Sequence, residues 1–225
     1  MDLLEGRPNV LRILPDDDDH YEFLSPFDRS TVNKGYDTVA VLPRGFQNLV
    51  DEGCLSRDTQ RLLARFSHAC RYGLESVPKA EQNFPDFAMA SPYITSPEPS
   101  LEKCLTLALI CYAHMRWAIA PNYVAGILCH TISRTKLSQA LALAPKFASA
   151  VEAECVVWIW LVLIDSYRLQ GSVLPQTALS CLGEFKWHYP EWQSWTIVEQ
   201  EILPNFFWRD EDSVAIKQAW DQSAL

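Results

Sequence analysis

The residues most able to do chemistry fall into a few sets. Asp16–Asp19 followed by His20 places four carboxylates in a row. Such a run holds magnesium when it lies on a helix facing an apolar cavity and a second metal motif backs it. No second motif appears downstream, and Pro8, Pro15 and Pro26 flank the run, so it reads as a solvated acidic stretch. Cys104, Cys111 and His114 stand at i, i+7 and i+10, one face of a helix with soft metal ligands. A structural zinc site takes four ligands, usually with a short Cys–Cys chelate loop. Leu101, Leu107 and Ala108 sit near the same face, which favours core packing of these thiols. Cys129 and His130 pair a thiol with an imidazole, but adjacent helix positions point about 100° apart and do not meet unaided.

Charged residues supply two further candidates. Asp165 and Arg168 follow a long apolar run, and with His114 and Arg116 they form a possible buried polar site. A catalytic acid with its partner is one reading of Asp165 and Arg168; a structural ion pair or a helix-end contact is the weightier one. Arg57, Arg61, Arg65, His68 and Arg71 form a basic stripe at helical spacing, a possible partner-binding surface for an anionic partner. The plainer reading is a solvated helix face, and the acidic arm of the same chain is a third possible neighbour. The aromatic series Trp187, His188, Tyr189, Trp192, Trp195, Phe206, Phe207, Trp208 and Trp220 reads as helix packing before it reads as a ligand pocket.

These residues sit on a succession of helices. A short helix over residues 44–51 stops at Gly53, where a left-handed residue closes it. Ser56 caps an amphipathic helix reaching residue 74, with Leu62, Leu63, Phe66 and Cys70 on its apolar side. Five prolines between Pro78 and Pro99 make residues 77–100 a long loop. Ser100 caps a helix over residues 101–119, apolar on nearly every face and therefore central. Further helices are expected over residues 123–143, 148–169, 175–190 and 191–207, the last kinked at Pro204. A short terminal helix over residues 210–222 docks Val214 and Trp220. The fold class is all-α: an array of about seven to eight helices over residues 41–225. An extended acidic arm over residues 1–40 precedes it, with eight acids against three bases up to Ser30.

Composition narrows the function classes. With 28 acidic and 19 basic residues the net charge is −9, which argues against direct, specific DNA binding. Seven cysteines, odd in number and without a C-x-x-C spacing, point to a reducing compartment, the nucleus or the cytoplasm. The first residues carry acids and no apolar run, so no secretory signal is read there. The longest apolar run, Cys155–Ile164, is too short for a membrane span. No cofactor or metal is expected.

Three stretches, taken in order, resemble a known family. Leu42-Pro43-Arg44-Gly45-Phe46 with Gly53-Cys54-Leu55-Ser56 is similar to the opening of the helical regulatory region of fungal zinc-cluster transcription factors. Glu154-Cys155-Val156-Val157-Trp158, continuing to Asp165 and Arg168, resembles a central helix of that region. Pro190, Trp192, Trp195, Phe206-Phe207-Trp208 and Trp220 resemble its C-terminal pattern. The family reads DNA through six closely spaced N-terminal cysteines and a basic linker, and this chain has no cysteine before Cys54. The resemblance therefore implies an all-α regulatory module without its own DNA-binding domain, with a protein partner or a small apolar ligand. A small helical enzyme or ligand-binding protein, with its site between the central helices, is the alternative.

Overall fold

A computed structural model describes residues 42–72, 98–117, 124–143, 149–168 and 174–222. The expected arm and residues 77–97 of the proline-rich stretch lie outside them. The described residues form eight α-helices and no strand. These are α1 (Arg44–Asp51), α2 (Arg57–Tyr72), α3 (Leu101–Trp117), α4 (Val124–Leu143), α5 (Ala150–Ser166), α6 (Gln176–His188), α7 (Trp195–Ile197) and α8 (Asp210–Gln222).

Three helices begin where a hydroxyl accepts an orphan N–H. Ser56 Oγ accepts from the Thr59 N–H at 3.3 Å, and Ser100 Oγ from the Lys103 N–H at 3.1 Å. Ser149 and Glu152 exchange bonds in a full capping box at the head of α5. Gly53 closes the end of α1 at φ +72°, as its position predicts.

The middle of the body is α5. Every residue from Cys155 to Ser166 is buried. A helix apolar on all sides must be covered on all sides, and α1, α3, α4, α6 and α8 all pack against it. Trp158 (0% exposed) and Trp160 (2%) point about 200° apart and anchor two aromatic clusters. Trp158 meets Phe46, Tyr112 and Phe206, and donates its indole N–H to the Phe207 carbonyl at 2.9 Å. Trp160 meets Phe185, which in turn contacts Tyr189 and Trp220.

The C-terminal segment departs from the single helix expected over residues 191–207. A 3₁₀ turn spans Pro190–Trp192, then α7 gives way to a π-helical turn (Val198–Ile202) and a 3₁₀ turn (Leu203–Asn205). Pro204 has no N–H to continue an α-helix and its ring crowds the preceding turn, so the ladder widens before it and tightens at it. Two apolar assignments also change. Val214 is 68% exposed, because Ile216, Ala219 and Trp220 form the inner face of α8. Trp187 is 79% exposed and His188 is exposed as well, so neither belongs to the aromatic core. The buried residues of α6 are Ala178, Cys181, Leu182 and Phe185, and a position two residues past Phe185 falls on the outer side.

Candidate functional site

Several polar residues of the body line the seam where α4 meets α3 and α5. His114, near the end of α3, lies beside His130 of α4, with ring centroids 5.3 Å apart and planes inclined by 39°. Both side chains are half-buried. Burial pushes each imidazole down to about 4, and for His130 the neighbouring His114 and Arg134 push the same way. Both rings are therefore neutral at pH 7. One helical turn beyond His130, Arg134 donates to the Ser166 carbonyl at 3.2 Å and lies over the Tyr167 ring, 4.4 Å from its centroid.

At the end of α5, Asp165 is 1% exposed; its Oδ2 accepts from Arg168 Nη2 at 3.2 Å, and Arg168 Nε stands 2.8 Å from its Oδ1 as an ion pair. A buried carboxylate facing Nε and Nη2 of a guanidinium three residues on is an ion pair at a helix end, the structural reading of these residues. Arg116 is half-buried near Cys70, where its charge opposes the burial that pushes that thiol up to about 12. The expected polar site is thus arranged as pairs: His114 with His130, Asp165 with Arg168, Arg116 near Cys70.

His130, Arg134 and Tyr167 were not read as part of this seam. Their signal was the i, i+4 spacing of His130 and Arg134, but which face of α4 turns toward α3 is a tertiary fact. Cys104 and Cys111 are fully buried among apolar side chains, and burial pushes Cys104 up to about 12. Among the described residues no group of three or more His, Cys, Asp or Glu could hold a metal ion. Cys129 lies outside the described side chains, and Asp16–Asp19 with His20 outside the described residues.

The basic stripe lies on α2. Arg57, Arg61 and Arg71 are exposed; Arg65 and His68 are half-buried. Arg61 pairs with Asp58 at 3.2 Å within the same helix. The N-terminus of α2 is fixed by Glu102 of α3, whose Oε1 accepts from the Ser56 N–H at 2.6 Å and the Thr59 hydroxyl at 2.8 Å. A carboxylate there satisfies an orphan donor and faces the positive end of the helix dipole. The outward face of α2 is consequently carried on a firm base.

A shallow cleft of about 190 Å³ opens beside the π-helical turn, lined by Glu199, Leu203, Pro204, Phe206, Trp208 and Ser213. It is formed by the C-terminal segment and the start of α8 rather than by the central helices. Among the described residues no helix is long and apolar enough to cross a membrane. No known protein family, curated protein or solved structure matches the chain.

Proposed function

We propose that the chain is a non-enzymatic regulatory module that binds a protein partner, similar to the helical effector region of fungal zinc-cluster transcription factors. The observation that supports this most is how the polar groups of the body are used. Glu102 holds the start of α2, Ser149 and Glu152 the start of α5, Asp165 and Arg168 its end, and Arg134 the seam beside it. The arginines at Arg57, Arg61 and Arg71 meanwhile face outward on a helix anchored at its base. That combination suits a rigid scaffold presenting one basic helix to an acidic protein segment.

DNA is a poor match for the same surface. Acids outnumber bases by 20 to 16 even from Thr31 onward, and a few arginines neutralise only a few phosphates. The test is to fuse the chain to a heterologous DNA-binding domain and measure reporter transcription against that domain alone. The fusion should change the output, and the double substitution Arg57→Glu with Arg61→Glu should reduce the change. Output equal to that of the bare domain would remove the reading. Titration of the purified chain against random and enriched duplexes at about 150 mM salt should give no sequence-dependent binding in the specific range.

A further inference from the structure

The π-helical turn over Val198–Ile202 alters the backbone bonding at the cleft beside it. The Leu203 N–H donates to the Val198 carbonyl, the wider bond of a π-helix. In an α-helix it would have served the Glu199 carbonyl instead. The next residue in the π register is Pro204, which has no N–H to give. Neither register therefore supplies a donor to the Glu199 carbonyl oxygen. Helical carbonyls point toward the following turn, here Leu203 and Pro204, and both line the cleft with Glu199. Turns of this kind are frequent at functional sites. We propose that this cleft binds one cationic side chain, the lysine or arginine of a basic peptide segment, between Glu199 and the indole of Trp208.

The chemistry of the walls agrees. Glu199 offers a carboxylate and a carbonyl oxygen, both acceptors, and its side chain is 37% exposed. Trp208 and Phe206 supply aromatic rings, which attract ammonium and guanidinium groups. Both rings are already positioned. Trp208 donates its indole N–H to Ser213 Oγ at 3.0 Å, and Phe206 stacks on Trp158 with centroids 5.9 Å apart. Fixed walls lower the ordering cost of binding. A cleft of about 190 Å³ falls below the about 300–1,000 Å³ of small-molecule pockets and suits a single long side chain. Residues 184–212 carry seven acids against two bases, which draws cations to this segment. The chain's own Lys217 already stands at the carboxylate, its Nζ 3.6 Å from Glu199 Oε2 and its side chain 52% exposed. An exposed pair at that distance contributes little, so a better-placed cation displaces it. No described residue of α2 lines the cleft, so the two sites stand or fall separately.

The test follows the indole N–H signals of the isotope-labelled full chain by NMR at about 150 mM salt, where distant surface charges are screened. The Trp208 signal is assigned through Trp208→Phe. Glycine–serine peptides carrying one lysine, one arginine or one norleucine are titrated in, beside tetramethylammonium chloride. The lysine or the arginine peptide should shift the Trp208 signal saturably, and the norleucine peptide should not. Glu199→Gln should weaken binding about tenfold, the loss of one charge-assisted contact. Lys217→Met should tighten it about two- to fivefold by removing the resident cation. Glu191→Gln changes an exposed acid outside the cleft and should leave binding unchanged. All three positions are at least partly exposed, so the variants should fold. An unmoved Trp208 signal, or a norleucine peptide that binds equally, would overturn the proposal. So would weaker binding in Lys217→Met, or equal weakening by Glu199→Gln and Glu191→Gln, the mark of general attraction to an acidic surface. A shift by tetramethylammonium as strong as by the peptides would assign the cleft to small organic cations and overturn the peptide.

Discussion

Trp158 joins the first aromatic cluster to the C-terminal segment. Its ring is fully buried against Phe46, Tyr112 and Phe206, and its N–H meets the Phe207 carbonyl. Trp158→Ala should cost about 3–5 kcal/mol in urea unfolding. Trp158→Phe keeps most of the apolar area but strands a buried carbonyl, and should cost about 1–3 kcal/mol. A loss near zero for Trp158→Phe would deny the hydrogen bond its role. Gly45 is held by the same cluster. A Cβ there would meet the Phe206 ring and stand 2.8 Å from the Asn205 carbonyl oxygen. Gly45→Ala should therefore destabilise by about 1–3 kcal/mol, although alanine is the better helix former; a gain in stability would show that the Phe206 ring moves aside. The two residues differ in legibility. Trp158 sits in an apolar run that can only be buried, whereas Gly45 is constrained by atoms some 160 positions further along the chain.

At the scale of elements, helix starts were legible because the groups that fix them are local. Ser56 and Ser100 act where their sequence positions suggest. Ser149→Ala removes the capping box of α5 and a bond from Ser149 Oγ to Glu52 at 3.0 Å, and should cost about 0.5–2 kcal/mol in thermal or urea melts. Glu102→Ala tests a longer-range device, since it leaves the Ser56 N–H and the Thr59 hydroxyl without their acceptor. A loss of about 1–3 kcal/mol is expected, and hydrogen exchange should quicken first in the opening turn of α2. Exchange that quickens uniformly would mean that Glu102 serves the whole body instead. The C-terminal segment was not legible in this way. Its π-helical turn and 3₁₀ turns follow from Pro204 together with the packing of Val198, Ile202 and Leu203, and helical periodicity describes only the apolar part of that pattern. The imidazole pair escaped for a similar reason: His114 and His130 are adjacent only because α3 and α4 pack in one particular register.

At the scale of the molecule, the buried titratable groups set a pH range of greatest stability. His114 and His130 are neutral in the fold down to about 4, while in the unfolded chain they take up protons below about 6.5. The unfolded state then binds more protons, so stability falls as pH drops from about 6.5 toward 4. The slope is at most about 1.4 kcal/mol per pH unit for each imidazole, reduced by the solvent that reaches these half-buried rings. The thiols act on the other side. Burial pushes Cys70 and Cys104 up to about 12, Cys181 up to about 11 and Cys155 well above its ordinary value. They stay protonated in the fold while the unfolded chain loses thiol protons from about pH 9 upward, so stability falls again as pH rises. Urea midpoints should accordingly be flat between about pH 7 and 8.5 and lower at both pH 5 and pH 10. The double substitution His114→Leu with His130→Leu should flatten the acid limb and leave the alkaline limb unchanged. An acid limb that persists in that double variant would move the cause to the carboxylates and leave the imidazole pair without a part in it.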